Sequence, residues 1–194
     1  FINDTFIVKT EGDTPNYILQ RKNHAIFPDV PAMMENIQRV TTHIKAKVAA
    51  AGGDPMREVL TVVPAKDGKL YHKEGENYWA VCTFIEGSVT HDVADTPRLA
   101  FMGGKGIGRF QAQLADFTEP LAEVIKGFHN IRWRFQHWDE ALAADKAGRK
   151  AELATEIEWI ESRREKMLDF WAMVEDGRLP PRVTHNDTKL SNIL

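Results

Sequence analysis

In the stretch THNDTKLSN, His185, Asp187, Lys189 and Asn192 fall within eight residues. A carboxylate stands five residues before a carboxamide, with an ammonium between them. Phosphoryl transfer uses these group types. An aspartate can orient and deprotonate an attacking hydroxyl, an asparagine oxygen can ligate magnesium, and a lysine can neutralise charge developing on the transferred phosphate. The bland alternative is a polar loop in which Asp187 caps a turn. The elements that hold the loop decide between the two.

Those elements begin with two β-prone runs, FINDTFIV at 1–8 and NYILQR at 16–21, separated by the turn-forming KTEGDTP. A hairpin is expected. A helix should start near Pro31, because proline suits a first helical turn and Asp29 is placed to cap it. Met34, Ile37, Ile44 and Val48 recur on one face until Gly52-Gly53 ends the helix. Two more strands are expected in REVLTVVP and NYWAVCTFI, joined by the polar turn AKDGKLYHKEG. After Glu86-Gly87 the pattern becomes helical. Ile107, Phe110, Leu114 and Phe117 form one stripe, and a further helix covers about 149–176. The fold class read from this order is α+β, with a β-rich part at 1–87 and a helical part at 88–194.

Composition narrows the partners. The 194 residues are 43% hydrophobic and 27% charged, as in ordinary globular chains long enough to bury a core. A net charge of -3 gives no electrostatic reason to expect nucleic acid or an anionic membrane as partner. The basic residues Arg163, Arg164 and Lys166 alternate with acidic ones, the pattern of a solvated helix face. No window approaches the ~20 apolar residues of a membrane span, and the N-terminus lacks a signal-peptide pattern. The single cysteine, Cys82, cannot form an internal disulfide, so the expected compartment is the cytoplasm.

The pattern H-x-D-x-K-x-x-N is similar to the catalytic loop of the protein-kinase superfold, H-R-D-x-x-x-x-N, with the same interval from Asp to Asn. Strands with one long helix, then more strands, then helices, is also the order of a kinase small lobe leading into a large one. Across nearly its whole length the chain resembles the aminoglycoside phosphotransferase and choline kinase superfamily of small-molecule kinases, most of all its N-acetylhexosamine 1-kinase branch. FINDTF resembles the exit of the phosphate-covering loop, YILQRKNHAIF the third strand, and MENIQRVTTHI the helix behind the nucleotide. FIEGSV resembles the hinge between lobes. GRFQAQLADF, FHNI and THNDTKLSNIL resemble the large-lobe helix, the sugar-kinase connector and the catalytic loop.

The resemblance implies a two-lobed kinase-like fold and ATP with Mg2+ as cofactors, with a small-molecule sugar as substrate. Asp187 would be the catalytic base, His185 a loop-shaping residue, Lys189 a residue facing the phosphate and Asn192 a magnesium ligand. Arg21 would take the place of the strand lysine that holds nucleotide phosphates. Strand alternation puts Gln20 on the opposite face, so a shift of one residue would exchange the two. Glu35 is the candidate partner of Arg21, although the helical wheel sets it nearly opposite the Ile37, Ile44 and Val48 stripe. Asn3 and Thr5 are candidates for phosphate contact, with a capped turn as the alternative reading. Adenine is expected against the backbone of Phe84, Ile85 and Glu86. His129 and Asn130, in the connector, are candidates for the acceptor wall.

GGKGIG at 103–108 fits neither G-x-G-x-x-G nor G-x-x-x-x-G-K-[ST], and its expected role is close packing. The run FHNIRWRFQHW lacks a zinc spacing and reads as packing or as a substrate-side wall. Kinases of this kind use a second metal-binding aspartate beyond the catalytic loop and a glycine-rich loop before FINDTF. The aspartate lies outside these 194 residues, and the glycine-rich loop is mostly missing from them. The expectation is a fragment, inactive or nearly so by itself.

Overall fold

A computed structural model describes residues 2–193. The expected hairpin forms from β1 (Asp4–Val8) and β2 (Tyr17–Lys22), paired antiparallel with Thr5 opposite Gln20. β2 then pairs with β5 (Asn77–Thr83), which also pairs with β3 (Val62–Val63) and with the short β4 (His72–Glu74). The five strands form one sheet in the order β1-β2-β5-β3, with β4 alongside β5.

Two expectations in this region are corrected. REVLTVVP is not a full strand, because Asp54 accepts a hydrogen bond from the Met56 amide and Pro55 sits at a helix start. These two residues nucleate the single turn α2 (Pro55–Glu58), leaving only Val62 and Val63 to pair. The segment read as a polar turn instead contributes β4. Gly75 supplies the left-handed backbone, φ 57°, that folds Glu74 back onto Asn77.

α1 (Val30–Ala50) begins as expected, with Asp29 Oδ1 accepting from the Ala32 amide at 2.9 Å. Its Val30 and Met34 pack with Val62, Ala80 and Cys82 into one core cluster. Farther along, Ile44 and Val48 meet Val59 and Leu114, with Phe110, Phe117 and Val183 at the margin, in a second cluster. Leu114 follows α3 (Pro97–Gln113), which is capped by Thr96. Thus α3 starts ten residues before the expected apolar stripe, and GGKGIG lies inside the helix.

The polar side of α1 grips the chain that leaves α3. Asn36, Arg39, His43 and Lys47 recur at helical spacing. Asn36 exchanges two hydrogen bonds with the Ala122 backbone, 2.8 and 2.9 Å, and Arg39 donates to the Pro120 carbonyl. Lys47 and His43 both engage Asp116, whose carboxyl is held below the ordinary carboxylate range by Lys47 first and His43 after it.

The described residues divide into two compact units, one formed by 2–124 with 182–193 and the other by Ile125–Pro181. The second unit holds α4 (Ile131–Ala144) and α5 (Ala154–Glu175). α5 was expected; α4 was not, because its aromatics and basic residues obscure the apolar period. Arg164 of α5 forks onto Asp139 of α4 and Glu161 of α5, and lies over the Phe135 ring at 4.5 Å. The Trp138 indole also donates to Glu161, at 2.8 Å.

Candidate active site

The loop after Val183 is built around a left-handed residue. Asn186 has φ 61°, a conformation that asparagine tolerates better than most side chains. Next to it the Asp187 amide faces His185 Nδ1 at 3.4 Å, and the Thr184 hydroxyl donates to Asn186 Oδ1. A 3-10 turn at Leu190–Asn192 then brings the chain back. Asn192 Nδ2 donates to the Asp187 carbonyl at 2.9 Å and to its carboxylate Oδ2 at 2.8 Å. The two residues that the spacing singled out are therefore tied side chain to side chain.

This tie leaves Asp187 Oδ1 and Asn192 Oδ1 without a hydrogen bond among the described residues. Both side chains are exposed. The Asn192 oxygen is a hard donor that suits magnesium, and the Asp187 oxygen can accept a proton. Among the described residues no group of three or more His, Cys, Asp or Glu is placed to hold a metal, and Asn192 Oδ1 could supply one position of a magnesium shell. Lys189 is exposed, two residues beyond Asp187. The His185 ring meets Phe110 of α3 edge-on, with centroids 5.9 Å apart, which anchors the start of the loop.

The strand candidates fall on two faces of the sheet. Residues opposite one another in an antiparallel pair share a face, and alternate residues along a strand change face. Gln20 and Lys22 lie opposite Ala80 and Tyr78, on the face that α1 covers. Arg21 lies opposite Trp79, on the far face, where its guanidinium pairs with Asp4. Glu35 is exposed on α1 and pairs with Arg39 at 3.7 Å. The structure does not bring Arg21 and Glu35 together. The exposed position that the helical wheel gave Glu35 agrees with this.

Asn3 and Thr5 join the other face. Thr5 Oγ1 accepts from Gln20 Nε2 at 3.1 Å, Gln20 Oε1 accepts from Lys22 Nζ at 2.6 Å, and Asn3 Oδ1 accepts from the Asn23 amide at 3.0 Å. Lys22 is 7% exposed and has no carboxylate partner among the described residues. Burial holds its ammonium below the ordinary lysine range, and the nearby Cys82 thiol opposes this. A desolvated lysine of this kind is a candidate functional residue. The sequence carried the signal, since Ile18, Gln20 and Lys22 alternate on one face of YILQRK.

At the expected hinge, the Phe84 amide donates to the Asn16 carbonyl, while the Ile85 and Glu86 carbonyls accept from Ser88 and Arg57. The Ile85 and Glu86 amides and the Phe84 carbonyl have no hydrogen bond among the described residues. An amide and a carbonyl of this kind can read a purine edge. The Glu86 side chain is engaged by Asn16 Nδ2 at 2.6 Å. A groove of about 800 Å³ lies on the far face of the sheet, lined by Leu19, Trp79 and Val81. Concavity and the Asp187 chemistry do not coincide here.

His129 and Asn130 belong to the second unit. Phe128 and His129 stack edge-on at 4.7 Å, and Asn130 Oδ1 caps α4 by accepting from the Trp133 amide at 3.0 Å. The cap occupies the Asn130 oxygen that an acceptor would otherwise use.

The model of the APH family, described as the phosphotransferase enzyme family, matches residues 1–194. The chain belongs to that family. The β-sheet followed by helices is the α+β, protein-kinase-like arrangement typical of it. Membership supports phosphotransferase activity of the kinase type at family level. Among the described residues no helix is long and apolar enough to cross a membrane.

Proposed function

We propose that this phosphotransferase moves the γ-phosphoryl group of ATP onto a hydroxyl of a small molecule, with Asp187 as the base. The observation that carries the reading is the Asp187–Asn192 tie, within a chain matched throughout by the family. The acceptor oxygen attacks the γ-phosphorus, its proton passes to Asp187 Oδ1, and the bond to the β-phosphate breaks to release ADP. Asn192 holds the Asp187 carboxylate through Oδ2, which keeps Oδ1 directed at the acceptor. Magnesium would be held by Asn192 Oδ1 and would neutralise phosphate charge. His185, clamped on Phe110, shapes the loop, and Lys189 offers a cation to the moving phosphoryl group.

The hinge backbone from Phe84 to Glu86 is the adenine edge of this reading. For the nucleotide phosphates, the face shared with α1 favours Lys22, with Asn3 and Thr5 beside it, over Arg21. The same α1 reaches the cluster that contains Val183, just before the catalytic loop.

The acceptor is proposed as the anomeric hydroxyl of an N-acetylhexosamine, on the resemblance of FHNI and THNDTKLSNIL alone. An aminoglycoside, choline or homoserine is the second reading, favoured because the family match is general and names no acceptor. A panel of these acceptors with ATP, run on the longest natural chain containing these residues, separates the two. Transfer to the sugar alone supports the first, and transfer to another acceptor the second. Nucleotide binding without transfer to any acceptor would point to a non-catalytic module.

A further inference from the structure

α3 carries four glycines near its middle, Gly103, Gly104, Gly106 and Gly108. Gly103, Gly106, Phe110 and Leu114 follow one another at helical spacing. The segment from Val183 to Ile193 crosses this stripe in the opposite direction. Val183 lies in the cluster with Leu114 and Phe110, and the His185 ring meets Phe110. Leu190 and Ile193 lie over the glycines. A Cβ built on Gly103 would stand 2.9 Å from Leu190 Cδ1 and 3.8 Å from Ile193 Cδ1, and one on Gly106 would stand 3.4 Å from Ile193 Cγ2. Gly103 is buried, whereas a Cβ on Gly104 would meet nothing within 4 Å. Glycine weakens a helix interior, so glycines at the contact positions need a reason beyond the helix.

From this contact we infer that Gly103 is a positioning residue: its missing side chain sets how closely the turn Leu190–Asn192 seats on α3, and hence where Asn192 holds the Asp187 carboxylate. Leu190 meets Gly103 through its Cδ1 methyl and Asn192 is two positions away in the same turn, so a shift of that turn would carry Asn192 with it. Gly106 tunes the same seat through Ile193. The inference rests on Asp187 being the base, and its test separates failure of that reading from failure of this one.

The experiment compares Gly103→Ala, Gly103→Ala with Leu190→Ala, and the control Gly104→Ala in the longest natural chain. Two readouts are taken: amide hydrogen exchange of the 184–192 peptide, and phosphoryl transfer. Gly103→Ala is expected to speed exchange of that peptide and lower kcat about tenfold, with the nucleotide KM unchanged and the melting temperature not lowered. Removing the Leu190 side chain in the double variant relieves the contact and restores part of both. Gly104→Ala should leave both unchanged. Wild-type exchange in Gly103→Ala would overturn the inference whether or not the protein transfers phosphate, and so would a double variant no better than the single one. Failure of the wild type to transfer to any acceptor, with the expected exchange change in Gly103→Ala, would sink the proposed base and leave the seat standing.

Discussion

At the scale of single residues, the candidate site turns on which groups are already engaged. Asp187 and Asn192 use one oxygen and one amide nitrogen on each other and keep one oxygen each. Lys22 has only an amide oxygen for its buried ammonium, while Arg21 has the Asp4 carboxylate. Lys22→Met should therefore weaken MgATP binding about tenfold, as loss of a charged hydrogen-bond donor does, with Arg21→Met acting less. Titration calorimetry reads this directly. The folded-state pKa of Lys22 is lowered, so between it and the ordinary value of 10.5 the unfolded chain binds more protons and stability rises with pH. Lys22→Met should raise the melting temperature at neutral pH and flatten that alkaline rise. The pair Asp187 and Asn192 was legible in the sequence because five-residue spacing is a local property. The face taken by Arg21 was not, because it depends on which side of the sheet α1 covers, and only the register of Gln20 and Lys22 with Ala80 and Tyr78 supplies that.

At the scale of elements, α1 is the common support: it covers the sheet with Val30 and Met34, reaches the α3 cluster with Ile44 and Val48, and binds the α3 exit through Asn36, Arg39, His43 and Lys47. Its bounds were readable from an apolar period, a capping aspartate and a closing glycine pair. α4 was not, since Arg132, Arg134 and His137 interrupt the apolar positions and pair instead with Glu175, Phe128 and Glu140. In the α4–α5 pair, Arg164 and then Trp138 hold the Glu161 carboxyl down to about 2. A depressed carboxyl contributes stability that is present above its ordinary pKa of 4.5 and lost as pH falls toward about 2. Glu161→Gln should flatten the acid limb of the stability profile in that window. Circular dichroism melts in steps across it give the measurement, and an unchanged limb would remove the carboxylate from the account.

At the scale of the whole molecule, the buried apolar residues are distributed unevenly. Of those in the described core, Phe135 alone lies in Ile125–Pro181, and the others belong to the unit that carries the loop. Elements with few buried contacts open at lower free energy. Amide exchange in α4 and α5 is accordingly expected to be faster than in α1, and equal protection would contradict this. The α+β order was legible because strand alternation and helical period differ along the chain. The division of the helical part was not, because Val183 rejoins α3 across some seventy residues, a contact that no local pattern announces.

The most direct measurement is transfer of label from γ-labelled ATP to the acceptor panel by the longest natural chain containing these residues, with wild type beside Asp187→Asn. The wild type is expected to label at least one small-molecule hydroxyl. Asp187→Asn should lower the rate by about 10²- to 10⁴-fold, the range typical of a lost general base, with an unchanged melting temperature. A wild-type rate in Asp187→Asn would contradict the assignment of the base and, with it, the account of the site.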